Sequence, residues 1–272
     1  MTLPFALIAL DLDYTLLTDA HTISPRNLGA VQQCAALGVK VIVTSGRMFR
    51  STMPYVRALG LDMPAITYNG AYVKWERTGE VWLSEALDLS VARELVDLCA
   101  ERDLNLNYYL DDELFVAKQT PWSDLYARRT GVPAQPVGDL HALLDRAPTK
   151  ALIVAEPERV QRLSAELRPR YADRAYLTIS NVEYLEFMPH GVDKGKAMAV
   201  VAEHFGIPRA RTMAFGDASN DVPMITWAGL GVAMENARAD AKAAARRIAP
   251  RYDDDGVAVV LEDVFGFAPC NA

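Results

Sequence analysis

Cysteine is scarce in this sequence: only Cys34, Cys99 and Cys270 carry a thiol among 272 residues. The three are odd in number, lie far apart and occur in no CxxC or Cys/His spacing. This pattern excludes a disulfide framework and a cysteine-based zinc site as the basis of the fold. The sequence therefore predicts a protein of a reducing compartment.

Long hydrophobic runs are also absent, because nowhere do about 18 uncharged apolar residues follow one another, as a membrane-spanning helix would need. The first residues carry no basic region ahead of their short apolar run, and so do not resemble a secretory signal. Together with the cysteine pattern, these absences predict a cytoplasmic protein with no membrane partner.

An excess of positive charge is missing as well. The chain has 28 Lys and Arg against 35 Asp and Glu, a net charge of -7. A general basic surface for phosphate backbones is therefore absent, and no nucleic-acid partner is expected. An anionic ligand would need a local site that overrides the overall sign. With 51% hydrophobic residues the chain is a folded protein, either a monomer or a homodimer.

Strands and helices alternate at both ends of the chain. The apolar runs 5–10, 39–43 and 65–68 are typical of buried strands, separated by helices that begin after Ser24 and end near Gly38 and Leu59. After residue 190, helices are predicted over 194–205, 222–227 and 237–248, with strands over 211–215 and 230–234. Short loops between such elements predict an α/β fold with a Rossmann-like, doubly wound parallel sheet.

The middle of the chain has a less regular order. It predicts helices over 87–103 and 157–171, a hairpin over 106–118 and a strand over 177–188. We interpret residues 85–188 as an α+β domain inserted into a discontinuous core domain formed by residues 1–84 and 189–272.

Polar residues follow the strands of the predicted core sheet. Asp11 and Asp13 follow the first strand, Ser45 the second, and Asp217 and Asp221 a later one. Because ligands of open α/β sheets bind outside the carboxyl ends of the strands, these side chains should meet at one edge. Asp11 and Asp13 are two residues apart, so an extended chain directs both to the same side.

Four carboxylates in one place require a cation to offset their repulsion. Oxygen ligands without His or Cys favour Mg²⁺, and a magnesium site with open positions commonly holds a phosphate. Lys194, at the start of a predicted helix, would add positive charge beside free backbone N–H groups. Each feature alone also fits a turn, a helix cap or a solvated lysine. Their combination, in order and on matching strand ends, favours a phosphate site.

The motifs as a set resemble the haloacid dehalogenase-like superfamily, in its Cof-type phosphatase branch with a large α/β cap. The matching segments are 11–17 (DLDYTLL), 45–47 (SGR), 68–71 (YNGA), 193–197 (DKGKA), 216–221 (GDASND), 231–234 (GVAM) and 255–258 (DGVA). The resemblance implies that residues 85–188 form the cap, which selects substrates. It also implies that Asp11 is the nucleophile and that Asp13 is the general acid and base.

The resemblance further implies the ligands of the site. The phosphate group would be bound by Leu12, Ser45, Gly46, Lys194 and Asn220, and Mg²⁺ by Asp11, Asp13, Asp217 and Asp221, with Asp221 supporting the metal or its waters. Arg47, His21 and Asn69 are expected to flank the entrance. The chain departs from the usual motifs at Tyr14 and Ala218, where glycine is more common, and at Thr44.

The leading hypothesis is a Mg²⁺-dependent phosphatase of small phosphorylated metabolites, with sugar phosphates as expected substrates. A phosphotransferase or phosphomutase on the same scaffold would use the same residues. A catalytically idle regulatory protein that binds a phosphometabolite is a third hypothesis, although binding alone needs no pair such as Asp11 and Asp13. The motifs do not identify the substrate.

Overall fold

The structure, a computed structural model, describes residues 3–268 and comprises two compact units. One unit is Met1–Leu83 with Asp193–Ala272, and the other is Ser84–Val192. The last strand of the second unit ends at Pro189, one residue beyond the predicted domain boundary at 188. Cys270 falls outside the described residues.

The elements are numbered along the chain. The strands are β1 (Leu7–Asp11), β2 (Lys40–Thr44), β3 (Ala65–Thr67), β4 (Tyr72–Lys74), β5 (Val81–Ser84), β6 (Asn105–Leu110), β7 (Glu113–Val116), β8 (Gln135–Pro136), β9 (Lys150–Val154), β10 (Ala175–Asn181), β11 (Tyr184–Pro189), β12 (Thr212–Gly216), β13 (Leu230–Met234) and β14 (Arg247–Ala249). The α-helices are α1 (Pro25–Ala36), α2 (Phe49–Ala58), α3 (Leu89–Glu101), α4 (Pro121–Thr130), α5 (Pro157–Tyr171), α6 (Lys194–His204), α7 (Val222–Trp227), α8 (Ala239–Ala244) and α9 (Gly256–Phe265).

The first unit is built on a sheet with strand order β14-β13-β12-β1-β2-β3-β4-β5. The strands from β14 to β3 run parallel, and β4 pairs antiparallel with β3. Every residue of β1 is buried, as expected for a central strand with helices on both faces. This α/β architecture with a parallel core sheet confirms the predicted fold class.

The register of the central strands brings their carboxyl ends level. In the parallel pairs, Asp11 lies opposite Thr44 and Leu10 lies opposite Phe215. The chain leaves β1, β2 and β12 at the same edge of the sheet, because parallel strands share one direction. That edge is where the polar segments after the three strands are brought together.

The second unit has its own sheet, with strand order β10-β11-β9-β6-β7-β8. Its pairings are antiparallel except for β8, which runs parallel to β7. Helices α3 and α5 contribute Leu95 and Leu163 to a buried apolar cluster that includes Phe187 of β11. No helix among residues 3–268 is both long enough and apolar enough to cross a membrane.

Two predicted elements are wrong. The strand expected over 177–188 is the hairpin of β10 and β11, which turns at Val182 and Glu183. The alanine-rich helix expected over 237–248 ends at Ala244, and Arg247–Ala249 instead forms the edge strand β14 beside β13.

Candidate active site

The candidate active site lies at the carboxyl edge of the parallel sheet, entirely within the first unit. Asp11 is the last residue of β1, Ser45 follows β2, and Asp217 follows β12. Lys194 is the first residue of α6, whose N-cap Asp193 accepts a hydrogen bond from Lys196 N at 2.7 Å. The cap fixes where the helix begins, and so fixes the position of Lys194.

Lys194 joins two of the predicted carboxylates. Its Nζ donates to Asp11 Oδ1 at 2.5 Å and to Asp221 Oδ1 at 2.6 Å. The side chain is fully buried, so the alternative of a solvated helix lysine is wrong. Burial alone would lower the pKa of Lys194, but Asp11 and Asp221 outweigh it and raise the pKa above the ordinary value.

Asp221 uses its second oxygen to fold the loop after β12. Oδ2 accepts the backbone N–H groups of Asp217 and Ala218, both at 3.0 Å. This close approach requires glycine at position 216, because a Cβ there would lie 2.4 Å from the Cβ of Asp221. Asp221 therefore holds both Lys194 and the loop that carries Asp217.

Asp11, Asp217 and Asp221 form an acidic triad whose ligand atoms lie within 4.8 Å of one another. Burial raises the pKa of Asp11 well above its usual range, and the charge of Asp221 adds to the effect. Burial and Asp221 likewise raise the pKa of Asp217 to about 7. Lys194 offsets only part of the negative charge. The donor set of hard carboxylate oxygens thus fits Mg²⁺, and the excess of negative charge favours a divalent cation.

Asp13 lies outside the triad and is held by Arg47. The guanidinium donates to both carboxylate oxygens of Asp13, through Nη2 at 2.5 Å and Nε at 2.8 Å. Arg47 is itself fixed by Tyr55, whose hydroxyl accepts from Nη1 at 3.2 Å, and His21 Nδ1 lies 3.3 Å from Nη2. Of the expected entrance residues, Arg47 is thus an ion-pair partner of Asp13, and the exposed His21 lies beside that pair.

Ser45 and Asn220 are connected through Asn69. The backbone N–H of Asn69 donates to Ser45 O at 3.1 Å, and Asn69 Oδ1 accepts from Asn220 Nδ2 at 2.8 Å. A Cβ at Gly46 would come within 2.7 Å of that same Oδ1. Asn69, which was expected to flank the entrance, is buried. It ties the loop after β2 to the loop after β12.

The remaining predicted residue, Leu12, is fully buried, and its carbonyl accepts the N–H groups of Leu16 and Leu17. Sequence reasoning missed Thr15, whose hydroxyl lies 3.4 Å from Asp217 Oδ1. It also missed that position 70 requires glycine. Gly70 has φ 101°, and a Cβ added there would lie 2.3 Å from the backbone oxygen of Asp193. The Asn-Gly pair at this point was the available signal.

The arrangement suits chemistry on a phosphate group. Asp11 offers a carboxylate oxygen beside a buried ammonium, and Asp13 offers a second carboxylate that is partly exposed. A carboxylate that can act as a nucleophile, a second carboxylate that can transfer a proton and an ammonium that attracts phosphoryl oxygens are groups that covalent phosphoryl transfer uses.

Comparison with known proteins agrees with this chemistry. Residues 8–261 match the model of a family described as haloacid dehalogenase-like hydrolase. The chain is 33% identical over 267 residues to 5-amino-6-(5-phospho-D-ribitylamino)uracil phosphatase YitU of Bacillus subtilis (strain 168), covering 95% of this chain and 97% of the relative. It is 30% identical to an HMP-PP phosphatase of Serratia proteamaculans (strain 568), covering 86% and 85%.

A solved structure gives the same result for the fold. The crystal structure of a haloacid dehalogenase-like hydrolase from Bacteroides thetaiotaomicron superposes with a TM-score of 0.89 at 28% identity, covering 96% of this chain and 100% of that one. The family match spans nearly the whole chain, and the similarity extends through both units. The chain therefore belongs to the haloacid dehalogenase-like hydrolase family, in its Cof-type branch, and is a phosphoric monoester hydrolase.

Proposed function

We propose that this protein is a Mg²⁺-dependent phosphatase of small phosphorylated metabolites that works through an aspartyl-phosphate on Asp11. The observation that carries the proposal is the buried contact of Lys194 with Asp11 and Asp221, beside a triad with excess negative charge. Such a site has one carboxylate that can react and one ammonium that attracts phosphate. Its excess negative charge also favours binding of a cation.

The first step forms the covalent intermediate. Asp11 Oδ1 accepts from Lys194, so we assign the attack on phosphorus to Oδ2. As the Oδ2–P bond forms, the bond from phosphorus to the leaving oxygen breaks, and Asp13 gives its proton to that oxygen. The products of this step are the alcohol and phosphorylated Asp11, with Asp13 left as a carboxylate.

The second step returns the enzyme to its starting state. Asp13 takes a proton from a water molecule, and the water oxygen attacks phosphorus. The bond between phosphorus and Asp11 breaks, which releases inorganic phosphate and restores both carboxyl groups. Arg47 holds Asp13 between the two steps through its paired hydrogen bonds.

The residues around the reacting group would hold its oxygens. Lys194, Ser45 and Asn220, with the backbone N–H groups of Leu12 and Gly46, are the donors we assign to the phosphoryl group. Asp11, Asp217 and the backbone carbonyl of Asp13 would hold Mg²⁺, with Asp221 behind them. When bound, Mg²⁺ neutralises charge on the phosphoryl oxygens as a Lewis acid.

The metabolite class is proposed from the relatives of the chain. One relative is named for a phosphorylated ribityl compound, which is a sugar-alcohol phosphate, and supports sugar phosphates and related esters as substrates. The scarce cysteines support action in the cytoplasm.

Phosphate release from a panel of esters tests the proposal, measured with Mg²⁺ and with a chelator. The panel contains sugar phosphates, nucleotides, pyridoxal phosphate and p-nitrophenyl phosphate. We expect release that depends on Mg²⁺. If a folded protein releases no phosphate from any ester, the hydrolase proposal is wrong, and transfer to an acceptor sugar is then measured instead.

A further inference from the structure

Tyr14 adopts a backbone conformation that a bulky residue rarely takes. Its φ is 58°, in the left-handed region that glycine enters without strain. The motif that the chain resembles usually has glycine at this position. A tyrosine here strains the backbone at the loop that carries Asp13, so its side chain should have a use that offsets the strain.

The backbone of Tyr14 is fixed, while its ring faces solvent. Asn236 Nδ2 donates to Tyr14 O at 2.9 Å. The ring packs edge-to-face against Tyr252 at 5.7 Å between centroids, and the Tyr252 hydroxyl donates to Asp19 Oδ1 at 2.6 Å. Tyr14 nevertheless remains 58% exposed. An edge-to-face contact covers at most one face of either ring, so Tyr14 keeps apolar ring surface available for stacking.

Tyr14 lies beside the group that meets the leaving oxygen. Its Cα is about 3.8 Å from that of Asp13, because the two residues are neighbours in the chain. Its other neighbour, Thr15, contacts Asp217. The part of the substrate that is bonded to the leaving oxygen must approach Asp13 for proton transfer. An exposed aromatic ring at the next residue is therefore well placed to contact that part.

We propose that Tyr14 is a specificity-determining residue that stacks on a planar ring in the leaving group of the substrate. The inference rests on the proposed phosphatase function and names its substrate class: phosphomonoesters of small alcohols that carry an aromatic or heterocyclic ring. The uracil ring in the name of the Bacillus subtilis relative's substrate belongs to this class. Stacking binds the ground state and the transition state alike, so it acts on KM more than on kcat.

Three esters with the same phosphorylated chain test the inference. D-Ribitol 5-phosphate has no ring, riboflavin 5′-phosphate has a flavin ring, and 5-amino-6-(5-phospho-D-ribitylamino)uracil has a uracil ring. We expect the wild type to have a higher kcat/KM for the ring-bearing esters. In Tyr14→Gly, which relieves the strain, the ratio of ring-bearing to ring-free kcat/KM should fall about 10-fold through KM. Tyr14→Phe should retain the wild-type ratio.

Asp103→Gly is the matched control, because Asp103 also has a left-handed φ, of 47°, and lies in the other unit of the chain. We expect this variant to keep the wild-type ratio. The inference is overturned if D-ribitol 5-phosphate is the equal or better substrate of the wild type, or if Tyr14→Gly changes all three esters by the same factor. It is also overturned if a ring-free sugar phosphate is hydrolysed and neither ring-bearing ester is. Absence of release from every ester overturns the proposed function itself.

Discussion

The Arg47 guanidinium donates two hydrogen bonds to the Asp13 carboxylate, at 2.5 and 2.8 Å. The arginine side chain is 18% exposed, and burial tends to lower its pKa, but the bonds and charge of Asp13 outweigh burial and raise it. Arg47 therefore stays charged, and its two hydrogen bonds orient the Asp13 side chain.

Loss of these two hydrogen bonds should lower kcat, because Asp13 would no longer be held in position for proton transfer. We expect Arg47→Ala to reduce kcat about 10- to 100-fold, as part of the 10²–10⁴-fold that a general acid and base contributes. In an Asp13→Asn background the same substitution should have little further effect, since both changes remove one function. Steady-state kinetics of the single and double variants give the coupling.

Arg57→Ala is the matched control for this cycle, because Arg57 pairs with Glu76 on the surface of the same unit. Exposed ion pairs contribute little to the free energy of unfolding. Full additivity of Arg47→Ala and Asp13→Asn would contradict the positioning role.

Removal of the proposed nucleophile should stop turnover without unfolding the protein. We expect Asp11→Asn to lower kcat by about 10⁴-fold or more. The variant should remain folded, because Asp11 is repelled by Asp221 and Asp217 as well as attracted by Lys194. Phosphate release and circular dichroism, compared with Asp253→Asn on the surface, measure both effects. A folded Asp11→Asn variant with near-normal release would disprove the covalent route.

Stabilisation by Mg²⁺ should grow with pH. The pKa of Asp217 is raised from 3.8 to about 7 without metal, so between about pH 4 and pH 7 the folded state binds more protons than the unfolded chain. Metal-free stability therefore falls as pH rises through this window. Mg²⁺ binds the ionised form, and its apparent affinity should rise up to about 10-fold per pH unit below 7 for one displaced proton.

Thermal unfolding at pH 5.5 and pH 8, with Mg²⁺ and with chelator, measures the effect. Taking the difference at each pH removes contributions from groups away from the site. The rise in Tm on adding Mg²⁺ should be larger at pH 8, and Asp217→Asn should abolish most of it. An equal rise at both values would show that Asp217 does not titrate with the metal.

Gly70 should be intolerant of a side chain. It has φ 101°, and a Cβ would lie 2.3 Å from Asp193 O, at the N-cap of the helix that begins with Lys194. We expect Gly70→Ala to lower the free energy of unfolding by about 3 kcal/mol or more and to lower kcat by shifting Lys194.

Gly79→Ala is the matched control, because Gly79 has φ 74° with open space around it. It should cost only about 1 kcal/mol of strain and leave kcat unchanged. Chemical denaturation and steady-state kinetics of the two variants separate the cost of backbone strain from the cost of the steric clash with Asp193. Equal losses in both would show that the contact with Asp193 is unimportant.

The sequence predicted the central strands β1, β2, β3, β12 and β13 well, because they are short, mostly buried and separated by helices. It was misled where tertiary contacts override local pattern. The alanine-rich segment has high helical propensity, yet Arg247–Ala249 pairs with β13 as an edge strand. The turn at Val182 and Glu183 lacks glycine and proline, and the Ser-Asn pair that precedes it was the one local signal that separates β10 from β11.

For the site, the motif residues were predictable but their partners were not. Lys194 was expected near phosphate, but its burial between Asp11 and Asp221 depends on the packing of α6 against a distant strand end. The buried, connecting position of Asn69 follows from contacts with Ser45 and Asn220. Sequence spacing carries no information on such contacts between loops.

The discontinuous first unit has a consequence for the order of events during synthesis. β1 pairs with β12, and the strands of the second sheet, from Asn105 to Pro189, emerge from the ribosome between them. The second sheet contains only these consecutive strands, so it can form while β1 is paired with β2 but still lacks β12. Pairing across a long sequence separation is slow. Asp11 is thus translated early but meets Lys194 late, and a nascent chain has no complete candidate active site until its last third is made.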